Sequence, residues 1–267
     1  MRYIETPPPP DLAPFVQCVW ELEGAGSALA EPIFPDGRVE VVVHLADRPS
    51  CAVNGLPQPA VMVVGQMTAA LRLRPVRSLH CVGLRFTPAG SRVSLRVPLH
   101  ELSGRIEPLD SLSHMLAARL ADAAGEARTA AERAALVFLA FRACLRTDAR
   151  APRSVERAVS LALGRQGRTT VDAMARAAGT SPRHLERQFL EEVGLPPKMF
   201  ARVVRFQHAL RDLQRGVAAA QVAAARGFAD QSHLAREFKR MAGVPARDVD
   251  LPHVAFVQDG AAGPRQD

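Results

Sequence analysis

The sequence has few lysines, few Trp and Tyr side chains and no long apolar run. Lys198 and Lys239 are its only lysines, so arginine carries nearly all of the positive charge, and it has one Trp and one Tyr. A membrane-spanning helix needs about 18 or more consecutive apolar residues, and no such run occurs. The first residues, Met1 to Asp11, lack the apolar segment of a signal peptide. We therefore expect a cytoplasmic protein without a membrane partner.

Cysteine and histidine are present but scattered, which argues against a metal centre. The cysteines form no Cys-x-x-Cys pair, so we expect reduced thiols and neither a zinc site nor a disulfide framework. The histidines of the first half stand far apart in the chain. We expect no metal and no cofactor. The residues concerned are Cys18, Cys51, Cys81, Cys144, His44, His80, His100 and His114.

Positive charge is concentrated in one segment. The chain has a formal net charge of +7 and a sequence pI of about 10.2, which favours a polyanionic partner, either nucleic acid or an anionic membrane surface. Residues 152–249 alone carry +8, whereas residues 1–151 carry +1 and residues 250–267 carry −2. The basic segment has the length of a domain, so we expect it to meet the partner.

The first 109 residues are predicted to be rich in β-strand. Phe34-Pro35-Asp36-Gly37 is a turn signal, and a two-residue alternation follows it. Short strands punctuated by Pro and Gly are typical of a barrel or a sandwich. The predicted strands are 39–46, 60–65, 71–74, 79–86 and 93–97, after an extended entry at 7–10.

Two helices are predicted next, over 111–124 and 126–147, on either side of Gly125. Each carries an apolar stripe at helical spacing. The second stripe fits an intradomain core and a seam between two copies of the chain equally well. The stripes are Leu112, Met115, Leu116 and Leu120, then Val137, Phe141 and Cys144.

The basic segment contains an internal repeat. The pattern His-Leu-x-Arg-x-Phe occurs at 184–189 and again at 233–238. In the first copy, Thr170 is expected to cap a short helix, Gly179 to end it and Ser181 to cap the next helix. In the second copy, Gly227 ends the short helix and Asp230 caps the next. Both units thus have the order of a helix-turn-helix.

The second helix of each unit is predicted to bury one edge and to expose long polar side chains beside it. Arg can bond guanine bidentately, and Gln can bond adenine in the same way, so the pattern indicates helices that read a major groove. The buried stripes are Leu185, Phe189 and Val193 in the first unit and Leu234, Phe238 and Met241 in the second.

One amphipathic helix is predicted between the units, over 197–215. Nineteen helical residues span about 28 Å, and successive major grooves on one face of DNA lie about 34 Å apart. A rigid helix of this length would hold two recognition helices in adjacent grooves. Its apolar seam is Met199, Val203, Phe206, Leu210 and Leu213.

Residues 153–249 resemble the DNA-binding domain of the AraC/XylS family of transcriptional regulators, which has two helix-turn-helix units joined by a long helix. The residues that carry the resemblance are Arg183-His184-Leu185-Glu186-Arg187-Gln188-Phe189, Arg202-Val203-Val204-Arg205-Phe206-Gln207-His208-Ala209-Leu210 and Gly227-Phe228-Ala229-Asp230-Gln231-Ser232-His233-Leu234-Ala235-Arg236-Glu237-Phe238-Lys239. The sequence departs from the family at Pro196, Pro245 and Gly216-Val217, where the family usually has a Ser or Thr. Each lost hydroxyl cap is typically worth about 1 kcal/mol.

The resemblance implies which residues contact DNA. His184 and His233 stand beside the inward Leu and fit either packing or DNA contact, and we favour DNA contact for His233. Base contacts are expected from Arg183, Glu186, Arg187, Gln231, Ser232, His233 and Arg236, and phosphate contacts from Lys239, Arg240 and Arg205.

The N-terminal half resembles the cupin-like sensor domains that precede such DNA-binding domains, on Phe34-Pro35-Asp36-Gly37-Arg38-Val39-Glu40 and Gly83-Leu84-Arg85-Phe86-Thr87-Pro88-Ala89-Gly90. We expect a two-domain α+β protein, with a β-rich cupin-like barrel and helical hairpin before an all-α double helix-turn-helix. The expected divisions are the sensor at 1–109, the hairpin and linker with a candidate dimer seam at 110–150, the DNA-binding domain at 151–249 and a flexible tail at 250–267.

The sequence thus predicts a sequence-specific transcriptional regulator and not an enzyme. Its expected partner is double-stranded promoter DNA, and RNA polymerase, a small-molecule effector and a second copy of the chain are further candidate partners. Two alternatives stay open, a cupin-type metal enzyme with a helical DNA-binding appendage and a non-specific architectural DNA binder.

Overall fold

A computed structural model describes residues 1–25, 32–52, 54–146 and 151–246. The predicted tail at 250–267 lies outside these residues. The strands are β1 (Arg2–Thr6), β2 (Val16–Ala25), β3 (Pro32–Ile33), β4 (Glu40–His44), β5 (Val61–Val64), β6 (Leu71–Arg72), β7 (Ser78–Phe86) and β8 (Ile106–Pro108). The helices are α1 (Asp110–Glu126), α2 (Ala130–Arg142), α3 (Arg153–Gly164), α4 (Val171–Ala178), α5 (Pro182–Glu192), α6 (Pro197–Gln214), α7 (Ala219–Arg226) and α8 (Gln231–Ala242).

The N-terminal half is built on a six-stranded antiparallel sheet in the order β1-β2-β7-β4-β5-β8, beside a two-stranded ribbon of β3 and β6. Gly83 lies at the centre of this sheet, and the indole of Trp20 packs directly over it, where a larger side chain would not fit. A Cβ at Gly83 would lie 2.0 Å from Trp20 Cε2. In the described residues β1 and β8 form open edges, so the sheet does not close into a barrel.

The two faces of the sheet pack differently. One face meets α1 and α2 in a core that includes Leu84, Phe86 and Phe141, with the rings of Phe86 and Phe141 5.6 Å apart. Val137 and Phe141 are buried there, so the second predicted stripe packs within this half of the chain. The other face forms a smaller cluster around Trp20, Val42 and Met62.

Several sequence predictions for this half need correction. β1 and β2 were not predicted. The predicted strand at 93–97 is wrong, since Ser91–Val93 is a 3-10 turn whose chain folds back on itself, with the Leu95 N–H bonded to the Ser91 carbonyl at 3.0 Å. Met115, placed on the buried stripe of the first helix, is 53% exposed.

The C-terminal half is helical, as predicted, and its local signals act as expected. Ser181 accepts the N–H of His184 at 3.2 Å, and Asp230 accepts the N–H of His233 at 2.6 Å. Gly179 and Gly227 have φ values of +68° and +73°, which end α4 and α7 tightly. Thr170 likewise caps α4. The structure confirms both helix-turn-helix units within 151–246.

A turn of the N-terminal half enters the C-terminal core. Phe34 is 4% exposed and belongs to the cluster around Phe189, Phe206 and Phe238. Its ring lies 6.0 Å from that of Phe206, and the side chain of Gln207 donates to the Pro35 carbonyl at 2.5 Å. The two halves therefore share part of one core. Among the described helices, none has the length and apolar content that a bilayer crossing requires.

Candidate nucleic-acid interface

Helix α5 is fixed by a buried edge and presents its other side to solvent. Leu185 and Phe189 are fully buried, and the Phe189 ring lies 6.0 Å from that of Phe200 on α6. The predicted base contacts of this unit, Arg183, Glu186 and Arg187, are all exposed. The structure therefore leaves all three available to a ligand on the outer side of the helix.

His184 is also exposed and lies against one of these side chains. Its Nδ1 is 3.1 Å from the Arg187 guanidinium. The neutral imidazole can accept a hydrogen bond there and orient the guanidinium across one turn of helix. His184 thus supports Arg187 and is not part of the core.

Helix α8 repeats this arrangement with one exception. Leu234 and Phe238 are buried, while Gln231, Ser232 and Arg236 are exposed. His233 is half-buried: its Nδ1 accepts the N–H of Ala229 at 3.3 Å, and its ring meets that of Phe228 edge-on at 5.5 Å. These contacts give His233 a role in holding the turn before α8.

The predicted phosphate contacts also differ among themselves. Lys239 and Arg240 are exposed, and Arg240 donates to the Glu237 carboxylate at 2.5 Å. Arg205 donates to the Gly227 carbonyl at 3.3 Å, and its guanidinium lies 4.7 Å from the centre of the Phe228 ring. Burial lowers the pKa of Arg205. Arg205, on α6, therefore supports the turn between α7 and α8.

A basic groove of about 440 Å³ lies beside α8. Arg205 and Arg240 line it together with two cations that sequence reasoning missed, Lys198 and Arg202. These two are four residues apart on α6, so they share a face of that helix; this spacing is the signal that could have found them. Gly167, Thr169, Ala201 and His233 complete the lining. A phosphate backbone that follows α8 would meet positive charge here.

Buried ion pairs attach the second unit to α6. Asp212 of α6 accepts two hydrogen bonds from the Arg226 guanidinium of α7, at 2.5 and 2.8 Å, and these bonds hold the pKa of Asp212 below its usual value.

In the first unit Gln188 stands at the repeat position of Glu237 and accepts from Ser154 Oγ at 2.9 Å. The polar residue at this position thus has a side-chain partner in each unit, a guanidinium for buried Glu237 and a hydroxyl for half-buried Gln188.

Within the described residues one group has the proximity that a metal ion requires, namely Glu21, Glu23 and His80. Both oxygens of Glu21 already accept from the Arg133 guanidinium, at 2.8 and 2.9 Å. Burial also raises the pKa values of the Cys18 and Cys81 thiols to about 12, so neither is a ready thiolate. Glu21, which is shared by Arg133 and His80, is already occupied by structural interactions.

Residues 174–250 match the family model described as a helix-turn-helix domain, and residues 4–108 match that of a domain of unknown function, DUF6597. The HTH-type transcriptional regulator GlxA of Rhizobium meliloti is 43% identical over 70 residues, which cover 26% of this chain and 22% of that protein. Among solved structures, an AraC-type transcriptional regulator from Chromobacterium violaceum has 23% identity and a TM-score of 0.35, covering 41% of this chain and 96% of that one. ToxT from Vibrio cholerae has 11% identity and a TM-score of 0.46, covering 91% of this chain and 99% of that one.

Two helix-turn-helix units on one connecting helix, each with a polar exposed second helix, define a double helix-turn-helix protein of the DNA-binding class. The C-terminal part of the chain is a helix-turn-helix domain, and its motifs resemble those of the AraC/XylS family. Its N-terminal half carries the domain of unknown function ahead of this unit.

Proposed function

We propose that this protein is a sequence-specific DNA-binding transcriptional regulator whose helices α5 and α8 enter adjacent major grooves. The observation that carries the proposal is the matched exposure of long polar side chains on the second helix of both units. Helix α6 has 18 residues, about 27 Å at 1.5 Å per residue, close to the roughly 34 Å between successive grooves.

The side chains divide by their existing contacts. Exposed Arg183, Glu186, Arg187, Gln231, Ser232 and Arg236 are proposed to read bases, since none of these side chains is buried. Lys239 and Arg240 are proposed to meet phosphates. His233 and Arg205 keep the same proposed contacts but also hold the second turn, so their removal is expected to lower stability as well as affinity.

The test is binding of operator fragments selected from genomic DNA. Arg187→Ala and Arg236→Ala should each weaken specific binding by about 1–3 kcal/mol and relax one base position, because each removes a bidentate base contact. The exposed arginine Arg119 on α1 offers a matched control, and Arg119→Ala should leave the affinity unchanged. Affinity should also fall steeply as salt rises.

An unchanged footprint in both arginine variants would contradict direct readout. Equal affinity for random DNA and for selected fragments would favour the non-specific architectural binder instead. His233→Ala separates the two roles of that residue, since loss of thermal stability with retained base preference would assign it to the turn alone.

The N-terminal half is proposed to be a cupin-like sensor, in which the open sheet and the β3–β6 ribbon enclose a ligand cavity. The proposed divisions are the sensor at 1–109, the helical hairpin at 110–150 and the DNA-binding domain at 151–249. Small-molecule modulation is supported by the cavity between sheet and ribbon. One structure of ToxT is described as bound to an unsaturated fatty acid, which is a property of that protein.

Dimerisation and contact with RNA polymerase are proposed as further interactions. Since Val137 and Phe141 are buried in the N-terminal core, a dimer seam on the hairpin would use exposed residues such as Met115 and Leu139. Sedimentation of the wild type and of a Leu139→Ser variant would test this, with a lower association constant expected for the variant and an unchanged one contradicting the seam.

We propose no catalytic activity. Metal analysis of the purified protein distinguishes the regulator from a cupin-type metal enzyme, because stoichiometric iron, manganese or zinc would favour the enzyme. The Arg133 contacts of Glu21 support the regulator, since a cation at Glu21 would have to displace a bound guanidinium.

A further inference from the structure

A cavity of about 130 Å³ lies between the sheet and the ribbon. Its floor is one row across the sheet, where Trp20, Val42 and Met62 stand on neighbouring strands around Gly83. Its cover includes Ile33 and Leu71, which pair with each other in the ribbon. Apolar cavities near 150 Å³ are known to hold a benzene-sized molecule, so this space suits a compact ligand.

The walls are mainly apolar, and the buried or half-buried charged side chains among them have partners within the protein, whereas Arg74 is exposed to solvent. Arg85 bonds Glu40 at 2.5 Å and Glu5 at 2.7 Å. The Arg38 guanidinium donates to the Asp36 carbonyl at 3.1 Å, and the Arg38 N–H donates to the Asp36 carboxylate at 3.0 Å. A charged ligand would have to break one of these pairs or stay buried without a counter-charge, and either is costly. The cavity therefore selects an uncharged molecule.

The charged end of this cavity is continuous with the turn that enters the C-terminal core. Ile33, Asp36 and Arg38 line the cavity, while Phe34 between them packs on Phe206. Phe206 in turn lies 4.9 Å from Phe238 of α8. Adjacent residues of one tight turn thus face a ligand space and the core beneath the second recognition helix.

We propose that this cavity binds an uncharged, mainly apolar molecule of roughly benzene size, and that its occupancy alters DNA binding through the Phe34–Gly37 turn and α6. The inference rests on the proposed regulatory function and adds to it the ligand class and the route of coupling. A ligand that moves Ile33 or Asp36 also moves Phe34, because these residues belong to one turn.

The ligand class is tested with three probes of matched size and shape, which are acetophenone, benzoate and benzamidinium. The ketone is chosen because Arg38 Nε, in a residue of the cavity wall, has no hydrogen-bond acceptor among the residues that the structure describes. Trp20 is the single tryptophan, so one indole N–H resonance reports on the cavity without assignment work. Acetophenone should shift this resonance and bind at least about ten-fold more tightly than either ion, a difference of about 1.4 kcal/mol.

Benzoate or benzamidinium binding as tightly as acetophenone would overturn the ligand class. Acetophenone that fails to bind, or that binds without moving the Trp20 resonance, would overturn the site. These measurements need no DNA, so they stand even if the protein proves not to bind an operator.

The coupling is tested with DNA affinity in the absence and presence of saturating acetophenone. The wild type should change its affinity by about five-fold or more, the lower range of measured couplings. Gln207→Met removes the hydrogen bond to the Pro35 carbonyl and should reduce the change to about two-fold or less. Gln214→Met, at the last residue of the same helix, is the matched control and should keep the full effect.

Unchanged DNA affinity in the wild type at saturating acetophenone would overturn the coupling. An effect retained in full by Gln207→Met would overturn the proposed route. Absence of operator binding by the wild type both without and with acetophenone would instead contradict the regulatory function, so the two failures are distinguishable.

Discussion

Arg202 of α6 donates two hydrogen bonds to the carboxylate of Glu237 on α8, at 2.9 and 3.0 Å, and the Glu237 side chain is only 7% exposed. Burial by itself would raise the pKa of Glu237, but the bonds and charge of Arg202, helped by Arg240 and Arg205, hold it below its usual value. This pair joins the second recognition helix to the helix that spaces the two units.

Glu237→Ala is expected to lower the free energy of unfolding by about 3–5 kcal/mol, because it leaves the Arg202 guanidinium without its buried partner. Urea unfolding measures the loss. Glu156→Ala, at an exposed position on α3, is the control and should change stability by no more than about 0.5 kcal/mol. Equal losses in both variants would show that the pair does not stabilise the fold.

Ala218→Ser is expected to stabilise the protein by about 0.5–1 kcal/mol. Ala218 is the N-cap of α7, has extended backbone angles and offers no side-chain acceptor to the first turn. The corresponding cap in the first unit, Thr170, accepts the N–H of Ala173 at 3.2 Å. Thermal or urea unfolding of Ala218→Ser beside Thr170→Ala should show changes of opposite sign, and a neutral Ala218→Ser would argue against a missing cap.

Substitutions at two glycines distinguish the stability cost of backbone strain from the cost of a steric clash with α6. Gly37 and Gly104 have φ values of +79° and +73°, but only a Cβ at Gly37 meets a neighbour, lying 3.1 Å from Phe200 Cε2. Gly104→Ala should cost about 1–2 kcal/mol from backbone strain alone, and Gly37→Ala about 1–3 kcal/mol more because the turn must lift from α6. Similar losses, measured by urea unfolding, would mean that the turn tolerates displacement.

The stability of the protein should depend on pH through Asp36. Burial raises its pKa from 3.8 to about 6, with Glu40 adding to the rise and Arg38 and Arg85 opposing it. A folded pKa above the unfolded one means that this contribution is full below pH 3.8 and is lost as pH rises through about 6. The loss from this group is about 3 kcal/mol, from roughly 1.4 kcal/mol for each pKa unit.

Asp36→Asn should remove this dependence of the free energy of unfolding on pH. Between about pH 4 and pH 7 the wild type should therefore lose stability relative to the variant. Asp11 provides a control that should stay nearly flat in this range, because its hydrogen bond with Arg142 lowers its pKa and its contribution is lost only as pH falls below the unfolded value of 3.8. Unfolding curves for Asp36→Asn and Asp11→Asn across this range check the assignment. Parallel pH profiles for the wild type and Asp36→Asn would contradict a raised pKa.

The helix-turn-helix units were predictable because local chemistry specifies them. Ser181, Asp230 and the positive-φ glycines act within a few residues of their own position, and the sequence displays them twice. The supporting role of Arg205 was not predictable in the same way, because its contact with Gly227 depends on how α6 crosses the turn between α7 and α8. For His233 the sequence left packing and DNA contact open, and its contacts with Ala229 and Phe228 lie within that turn.

The N-terminal half was harder to predict for a physical reason. In β2 the consecutive residues Val19 and Trp20 are both buried, because that strand is covered on both faces and shows no alternation. Residues 93–97 show the reverse error: Val93 and Leu95 alternate and are buried, but their backbone forms local turns. An apolar pattern in the sequence reports which residues are buried. In these two segments the pattern of burial does not coincide with strand geometry.

The insertion of Phe34 beside Phe206 has a consequence for protein engineering. A C-terminal half cut out at the predicted boundary would lose an aromatic ring from its own interior, and a hybrid with a foreign N-terminal half would lack the same ring. The boundary in sequence is thus not a boundary in packing. A transplantable unit would have to bring Phe34-Pro35-Asp36-Gly37 with it, or replace Phe206 with a residue that closes the gap.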